Sequence, residues 1–217
     1  MIKTDDNALK IAEFLLKIKA IEVNPSNPFT WASGLNSPIY CDNRKTLSYP
    51  EIRTFIRQEF VKVIERDFGK PDVIAGVATG GIALGALVAQ ELGVPFIYVR
   101  SDAKKHGLTN QVEGVCSAGQ SVVVIEDLVS TGMSSLKAVD ALHALDLDIR
   151  GMVAIFSYGF DVALENFKKA DVELITLSDY SSLIETATGM GYVPEEDSKT
   201  LTRWRQDPKK WSEQFTE

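Results

Sequence analysis

A repeated alternation of short apolar runs and helix-like stretches fills the middle of the chain, from about residue 70 to residue 157. The runs DVIAGVA, PFIYVR, SVVVIED and GMVAIFS are apolar almost throughout, and GIALGALVAQEL and SSLKAVDALHAL lie between them. Strands that are buried on both faces have this composition, and parallel strands need helical crossovers. The pattern therefore predicts an α/β fold with a central parallel sheet flanked by helices.

The segments on either side of this pattern are interpreted as a small subdomain and its connections. A helix is predicted around residues 6–20, a Pro-, Asn- and Ser-rich stretch over 24–37, a helix over 50–68, a strand near 172–177, a helical piece near 181–188 and then a polar tail. A chain of 217 residues with 45% apolar content can bury a substantial core. We interpret residues 1–217 as one domain, with a core at about 50–170 and a subdomain formed largely by 1–45 with part of 172–217.

Composition argues against several classes of partner. A formal net charge of −7 disfavours an extended nucleic-acid surface, because such surfaces bind phosphates through Lys and Arg. No apolar run approaches the roughly 20 residues that span a bilayer, and the first twenty residues carry too many charges for a signal peptide. Cys41 and Cys116 are too few for a disulfide scaffold. We expect a soluble cytoplasmic protein with no nucleic-acid or membrane partner.

The most informative segment is VVVIEDLVSTGMS, residues 122–134. A buried strand is predicted to end on Glu126 and Asp127 and to pass through a small, hydroxyl-rich loop into a helix. We call Ser130–Ser134 the phosphate loop, because its hydroxyls and the unpaired N–H groups of a helix start suit a phosphate monoester. The two acids would then face hydrogen-bond donors such as sugar hydroxyls, or a metal. The alternative is an ordinary strand, turn and capped helix.

Two further segments are candidates for an anion site. ATGG, which we call the glycine loop (residues 78–81), also leads from a strand into a helix; its alternative is a tight turn. The segment that we call the lid loop, residues 100–114, carries four cationic side chains and two glycines; its alternative is an ordinary surface loop. The cationic residues are Arg100, Lys104, Lys105 and His106. A mobile lid that closes over an anionic ligand would have this composition.

Residues 122–134 resemble the binding signature for phosphoribosyl pyrophosphate (PRPP) in type I phosphoribosyltransferases. The shared order is four aliphatic residues, two acids, two aliphatic residues, two hydroxyls and a glycine, and the departure is Met133, where the family commonly has a second glycine. The resemblance implies the type I phosphoribosyltransferase fold and PRPP as a substrate. The residues that it assigns to PRPP are Glu126, Asp127, Leu128, Val129, Ser130, Thr131, Gly132, Met133 and Ser134, with Thr79 and Gly80 of the glycine loop at the pyrophosphate.

The lid loop is similar to that of one branch, the orotate phosphoribosyltransferases, which carry Arg, Lys and His in the order of Arg100, Lys104 and His106. Members of that family are homodimers whose lid acts in trans, so the resemblance implies that these residues and Lys105 bind the PRPP of a neighbouring subunit. It implies catalytic roles for Lys104, His106 and Asp127, and Mg²⁺ as a cofactor held mainly by substrate oxygens. Ser101 departs from the family, which commonly has a lysine there.

Residues 29–45, FTWASGLNSPIYCDNRK, resemble the hood segment that holds the orotate ring in that family, including Tyr40. Ala32 stands where another branch has a lysine, and Tyr158 stands where it has an arginine. We hypothesise that Arg44 supplies the missing charge for the orotate carboxylate. The alternative is a surface arginine paired with Asp42 or another acid. The resemblance also implies that Ser130 reaches the base.

The expected reaction transfers the 5-phosphoribosyl group from PRPP to orotate, which yields orotidine 5′-phosphate and pyrophosphate in the biosynthesis of UMP. Two other functions stay open at this point. An enzyme of the same superfamily could act on a purine or on uracil. A PRPP-sensing regulator could keep the fold without catalysis, although such regulators add a DNA-binding domain or a basic RNA face that this acidic chain does not show.

Overall fold

A computed structural model describes residues 6–31, 33–101 and 111–215. Its α-helices are α1 (Asp6–Lys17), α2 (Pro50–Val63), α3 (Gly80–Leu92), α4 (Met133–His143), α5 (Asp161–Lys169), α6 (Tyr180–Gly189), α7 (Ser198–Gln206) and α8 (Pro208–Ser212). Its strands are β1 (Ile21–Val23), β2 (Phe29–Thr30), β3 (Asn36–Ser37), β4 (Ile39–Cys41), β5 (Val73–Val77), β6 (Phe96–Val99), β7 (Val112–Glu113), β8 (Ser121–Val129), β9 (Asp148–Ser157) and β10 (Leu174–Asp179).

The chain divides into two compact units. The core unit comprises the described residues from Leu47 to Leu177, and the terminal unit comprises those up to Thr46 together with those from Ser178 onward. The main sheet has the strand order β10-β9-β8-β5-β6-β7. Strands β5, β6, β8 and β9 pair in parallel, and the two-residue β7 is antiparallel to β6. The predicted α/β fold with a mostly parallel central sheet is confirmed.

The order of the strands reverses direction between β5 and β8. Helix α3 leads from β5 to β6 on one side, whereas α4 leads from β8 to β9 on the other. Right-handed crossovers that run in opposite directions put their helices on opposite faces of a sheet. The carboxyl ends of β5 and β8 therefore flank a topological switch point, which is where open α/β sheets bind ligands. The glycine loop follows β5 and the phosphate loop follows β8.

Strand β8 is longer than the sequence predicted. It does not end at the acids but continues through Leu128 to Val129, which pair with Phe156 and Ser157 of β9. The two acids thus lie within the hydrogen-bonded ladder, and the irregular part of the segment begins at Ser130. An apolar pair that can extend a buried ladder outweighs the tendency of adjacent acids to end a strand.

The terminal unit has more regular structure than the sequence predicted. Helix α1 packs against α6, β1 pairs with β4, and β2 pairs with β3. The segment interpreted as a polar tail forms α7 and α8, whose Trp204 and Trp211 are buried. Trp204 meets Trp31 edge to face, with 5.9 Å between ring centroids. One apolar side chain per helical turn is a weak signal in a polar sequence, so these short helices escaped prediction.

Helix α5 of the core unit was also not predicted. It begins after Phe160 and buries Ala163 and Phe167 four residues apart, which fixes one face against the sheet layer. Within the described ranges, no helix is both long and apolar enough to cross a membrane.

Candidate active site

The glycine loop is in direct contact with Asp127 of β8 at the switch point. A Cβ atom built on Gly80, the first residue of α3, would fall on the carboxyl group of Asp127. Only a glycine therefore allows the Asp127 side chain to lie against the start of α3, where the helix presents unpaired N–H groups and its positive end. The peptide bond between Ala78 and Thr79 in the same loop is cis. The structure thus brings together three of the predicted site residues, Thr79, Gly80 and Asp127.

The other acid of the pair, Glu126, lies in the interior. Glu126 is only 5% exposed. Its two carboxyl oxygens accept hydrogen bonds from the Asp127 backbone N–H at 3.0 Å and from the Ser135 hydroxyl at 2.9 Å. Burial raises the pKa of Glu126 well above its ordinary value, and the neighbouring charge of Asp127 raises it further. A hydrogen bond between the Asp127 and Glu126 carboxyl groups also raises the pKa of Glu126, so the two adjacent acids interact directly.

The phosphate loop is anchored by the helix that follows β9. Asn166 of α5 donates to the Thr131 carbonyl oxygen at 3.0 Å, and the Ser130 hydroxyl oxygen accepts from the Thr131 N–H at 2.7 Å. Gly132 has a φ of 78°, and a side chain there would strike the ring of Phe167. The turn therefore requires glycine both for its left-handed backbone and for the close approach to α5. A loop that is already held in place suits a bound anion, because binding then costs little conformational entropy.

The last two residues of the phosphate loop begin helix α4. Met133 is 70% exposed, and Ser134 is exposed beside it. The first hydrogen bond into the helix joins the Leu136 N–H to the Gly132 carbonyl. The N–H groups before that bond belong to the first turn, which is the part of a helix that binds phosphates. Exposure at Met133 explains how the loop accommodates methionine where relatives have glycine.

The Arg100 end of the lid loop lies next to both of the other loops. Arg100 follows β6, donates its backbone N–H to the Gln111 carbonyl at 2.9 Å and approaches Glu113 at 3.5 Å. A cavity of about 130 Å³ opens beside it. The residues that line the cavity are Val77, Ala78, Val99, Arg100, Ser101, Gln111, Ser134, Lys137 and Ala138. Residues from all three predicted anion-binding segments therefore surround one cavity.

The other three cationic residues of the lid loop, Lys104, Lys105 and His106, lie outside the described residues. Ala32 of the hood segment lies outside them as well.

The residues predicted to contact the base belong to the terminal unit. Tyr40 in β4 is 38% exposed, and its ring lies 5.8 Å from that of Phe29. Arg44 forms a two-pronged ion pair with Asp42, with nitrogen–oxygen distances of 2.6 and 3.0 Å. The guanidinium lowers the pKa of Asp42. The pairing with Asp42 matches the alternative considered for Arg44, and it leaves the predicted contact with orotate as a prediction.

Tyr158, which replaces the arginine of other relatives, is buried in the core unit. Its ring stacks on Phe160 at 5.4 Å and meets Phe156 edge to face at 5.5 Å. The aromatic row explains structurally why a charged residue has no place there in this chain.

Three residues near the loops were not singled out from the sequence: Ser135, Lys137 and Gln111. Ser135 reaches Glu126, whereas Lys137 and Gln111 line the cavity beside Arg100. For Lys137, its spacing from Ser134 was a signal in the sequence that could have indicated the site. Ser134 and Lys137 lie three residues apart on α4, so both can point to the same side of the helix.

Comparison with known proteins agrees with this geometry. The phosphoribosyl transferase domain family matches residues 47–181. An orotate phosphoribosyltransferase of Phocaeicola vulgatus is 57% identical over 200 residues, which cover 92% of this chain and 94% of that protein. A relative of the same name from Listeria innocua is 50% identical over 202 residues, covering 93% of this chain and 97% of its own.

A solved structure is similar over most of the chain. The crystal structure of orotate phosphoribosyltransferase from Aeropyrum pernix superimposes with a TM-score of 0.73 at 27% identity and covers 84% of this chain and 99% of its own. The type I phosphoribosyltransferase fold that the sequence predicted is thereby confirmed, and so is the family. With relatives at 50–57% identity over more than nine-tenths of its length, the chain belongs to the orotate phosphoribosyltransferase family.

Proposed function

We propose that the protein transfers the 5-phosphoribosyl group of PRPP to orotate, releasing pyrophosphate and forming orotidine 5′-phosphate for pyrimidine biosynthesis. The observation that carries this proposal is the contact between Gly80 and Asp127, which brings an acid of β8 against the start of α3 at the switch point. Two anion-binding loops with an acid between them match a sugar that bears a phosphate at one end and a pyrophosphate at the other.

The PRPP molecule would lie along the ends of β5 and β8. The phosphate loop would bind the 5-phosphate through the N–H groups of the α4 start and the hydroxyls of Thr131 and Ser134. Asp127 would accept hydrogen bonds from the ribose hydroxyls, since it lies on the side of the glycine loop. Thr79, Gly80 and Arg100 would bind the pyrophosphate, with Leu128 and Val129 shaping the backbone between the two ends.

Lys104, Lys105 and His106 complete the proposed pyrophosphate site. Cationic side chains on a closing loop would neutralise the leaving group and keep water from the reacting carbon. We further propose that the protein acts as a homodimer in which each lid loop serves the neighbouring subunit. Lys104 and His106 are the proposed catalytic residues of the lid, together with Asp127 at the ribose.

Mg²⁺ is the proposed cofactor, and when bound it would neutralise charge on the pyrophosphate oxygens. Within the ranges that the structure describes, no three His, Cys, Asp or Glu side chains are grouped as metal ligands. The carboxyl oxygens of Asp127 are hard donors at the switch point, and they suit Mg²⁺ through ribose hydroxyls or water. The residues therefore fit a metal that is held chiefly by its substrate.

Displacement of pyrophosphate from the anomeric carbon would pass through an oxocarbenium-like transition state. Positive charge then grows on the ribose and negative charge on the leaving group. Asp127 would stabilise the first charge with its carboxylate, and Arg100 of the neighbouring subunit's lid loop would stabilise the second. The chain thus contributes position and electrostatics, with no dedicated general base proposed.

Orotate would be recognised by Tyr40 and Arg44 of the hood segment and by the Ser130 hydroxyl of the phosphate loop. Arg44 would contact the orotate carboxylate in exchange for Asp42, since both partners are planar carboxylates of the same charge. The terminal unit is accordingly the proposed hood of a single phosphoribosyltransferase domain. Both substrates are small water-soluble anions, and the proposed place of reaction is the cytoplasm.

The direct test follows the loss of orotate absorbance with PRPP and Mg²⁺. The matched reactions use Lys104→Ala in place of the natural protein, and uracil or adenine in place of orotate. We expect consumption that requires orotate and that falls sharply in the variant. Turnover of another base would replace the proposed substrate, and PRPP binding without turnover of any base would overturn the enzymatic function.

A further inference from the structure

The two acids of β8 divide their contacts between the interior and the glycine loop. Both oxygens of Glu126 accept hydrogen bonds from within the protein, from the Asp127 N–H and the Ser135 hydroxyl. Glu126 is 5% exposed and Ser135 is 3% exposed, so water competes little for either bond. The Asp127 carboxyl group instead lies against Gly80. Only one acid of the pair is thus directed toward the proposed pyrophosphate loop.

The Glu126 carboxyl bridges the two ends of the phosphate loop. Asp127 is on the strand that enters the loop, and Ser135 is the third residue of the helix that leaves it. The hydrogen bond from Ser135 therefore ties strand β8 to the first turn of α4, and the bond from the Asp127 N–H, within β8, orients the same carboxyl group. A buried hydrogen bond to a carboxyl group holds its partners more firmly than an exposed one, because breaking it would leave a buried polar group without a partner.

We propose that Ser135 is a positioning residue for PRPP, which holds the Glu126 carboxyl in the interior and leaves Asp127 as the acid that contacts the ribose. This inference rests on the proposed function, in which the phosphate loop binds PRPP. It assigns different tasks to two acids that the family resemblance treats as one pair. Ser135 would not touch the substrate and would act only through Glu126.

The first experiment removes the Ser135 hydroxyl with Ser135→Ala. We expect the KM and the calorimetric Kd for PRPP to rise about tenfold while kcat and the KM for orotate stay nearly unchanged. The matched control is Ser178→Ala, because Ser178 is 1% exposed and its hydroxyl donates to the Ala8 carbonyl at 2.8 Å in the terminal unit. Both variants lose a buried hydroxyl, and only Ser135→Ala should weaken PRPP binding.

The second experiment tests whether Ser135 acts through Glu126. In a Glu126→Ala background the serine has no carboxyl to hold, so adding Ser135→Ala should leave the Kd for PRPP where Glu126→Ala alone put it. A full additional loss in the double variant would overturn the proposal. Ser135→Thr, which restores a hydroxyl, should recover most of the affinity.

The third comparison separates the two acids and covers the case in which Ser135→Ala does not fold. Glu126→Gln keeps the shape of the interior group, and we expect it to lower kcat/KM for PRPP far less than Asp127→Asn, for which we expect a loss of about a hundredfold. Equal losses in both variants would overturn the division of tasks. Failure of the natural protein to bind PRPP would instead refute the proposed function, whatever the variants do.

Discussion

The core unit and the terminal unit hold their proposed site residues in different ways. In the core unit, Glu126 and Asp127 belong to a nine-residue strand, and the phosphate loop is tied to α5. In the terminal unit, Tyr40 and Arg44 lie on a three-residue strand and a 3₁₀ turn, and Arg44 pairs with an acid two residues away. The proposed phosphate site is thus built into the main sheet, whereas the proposed base site depends on short elements with local partners.

The largest effect is expected from the contact between Gly80 of the glycine loop and Asp127 of β8, both in the core unit. In Gly80→Ala the new methyl group would displace the Asp127 carboxyl, so we expect kcat/KM to fall about a hundredfold or more. Steady-state kinetics with PRPP measures the loss. Gly189→Ala is the control, because nothing lies within 4 Å of that position and helix α6 there should keep full activity. Normal activity of Gly80→Ala would refute the role of this contact.

The next effect concerns the stability of the terminal unit. Trp204 is fully buried between Trp31 and Tyr180, and Trp204→Ala should lower the free energy of unfolding by about 3–5 kcal/mol. Urea unfolding measures this change, with Trp204→Phe as the milder control. If the comparison holds, PRPP binding to the folded variant stays near normal while orotate binding weakens. Equal weakening for both substrates would show that the two units do not divide their tasks.

A smaller effect is expected for the base. Arg44→Ala should raise the KM for orotate about tenfold and leave that for PRPP unchanged, since it removes one charge-assisted contact. Arg66→Ala is a close control because Arg66 forms a similar exposed ion pair with Asp67, in the core unit. Unchanged orotate kinetics in Arg44→Ala would leave the ion pair with Asp42 as the whole role of that residue.

The smallest effect is a pH dependence of stability. Glu126 has a raised pKa in the folded protein, so as pH rises above its ordinary value of 4.5 the unfolded chain releases this proton while the folded protein keeps it. That difference favours the unfolded state as pH increases. Glu126→Gln removes the effect, and its melting temperature should therefore exceed that of the natural protein by a few degrees near neutral pH, with the gap closing in acid. A gap that is independent of pH would contradict the raised pKa.

The predictable parts of the molecule are those in which the local pattern and the tertiary environment agree. Buried strands such as SVVVIED and the hydroxyl-rich phosphate loop are recognisable because their residue types have few other uses. The extension of β8 through Val129 could not be predicted from the local sequence, because it depends on pairing with β9. The hydrogen bond from Ser135 to Glu126 could not be predicted either, since the end of β8, the turn and the start of α4 together decide whether the two side chains meet.

The helices α7 and α8 mark the opposite case. Their polar residues suggested a tail, and only the tryptophans carried a sign of burial. The partner of Trp204 is Trp31, which is distant in the sequence, so no local window contains the contact that makes the helix stable. The role of Arg44 could not be predicted from the sequence either. An arginine there suits both an ion pair with Asp42 and a contact with the orotate carboxylate.

The terminal unit is assembled from both ends of the chain, and this has a consequence for biosynthesis. The described residues from Leu47 to Leu177 form a continuous unit with all of its sheet order from β5 to β9. They can fold on the ribosome as soon as they emerge, whereas α1 must wait for α6, and Trp31 must wait for Trp204. The residues that precede the core unit are thus translated before it but completed after it, and a nascent chain would acquire its phosphate loop before its terminal unit.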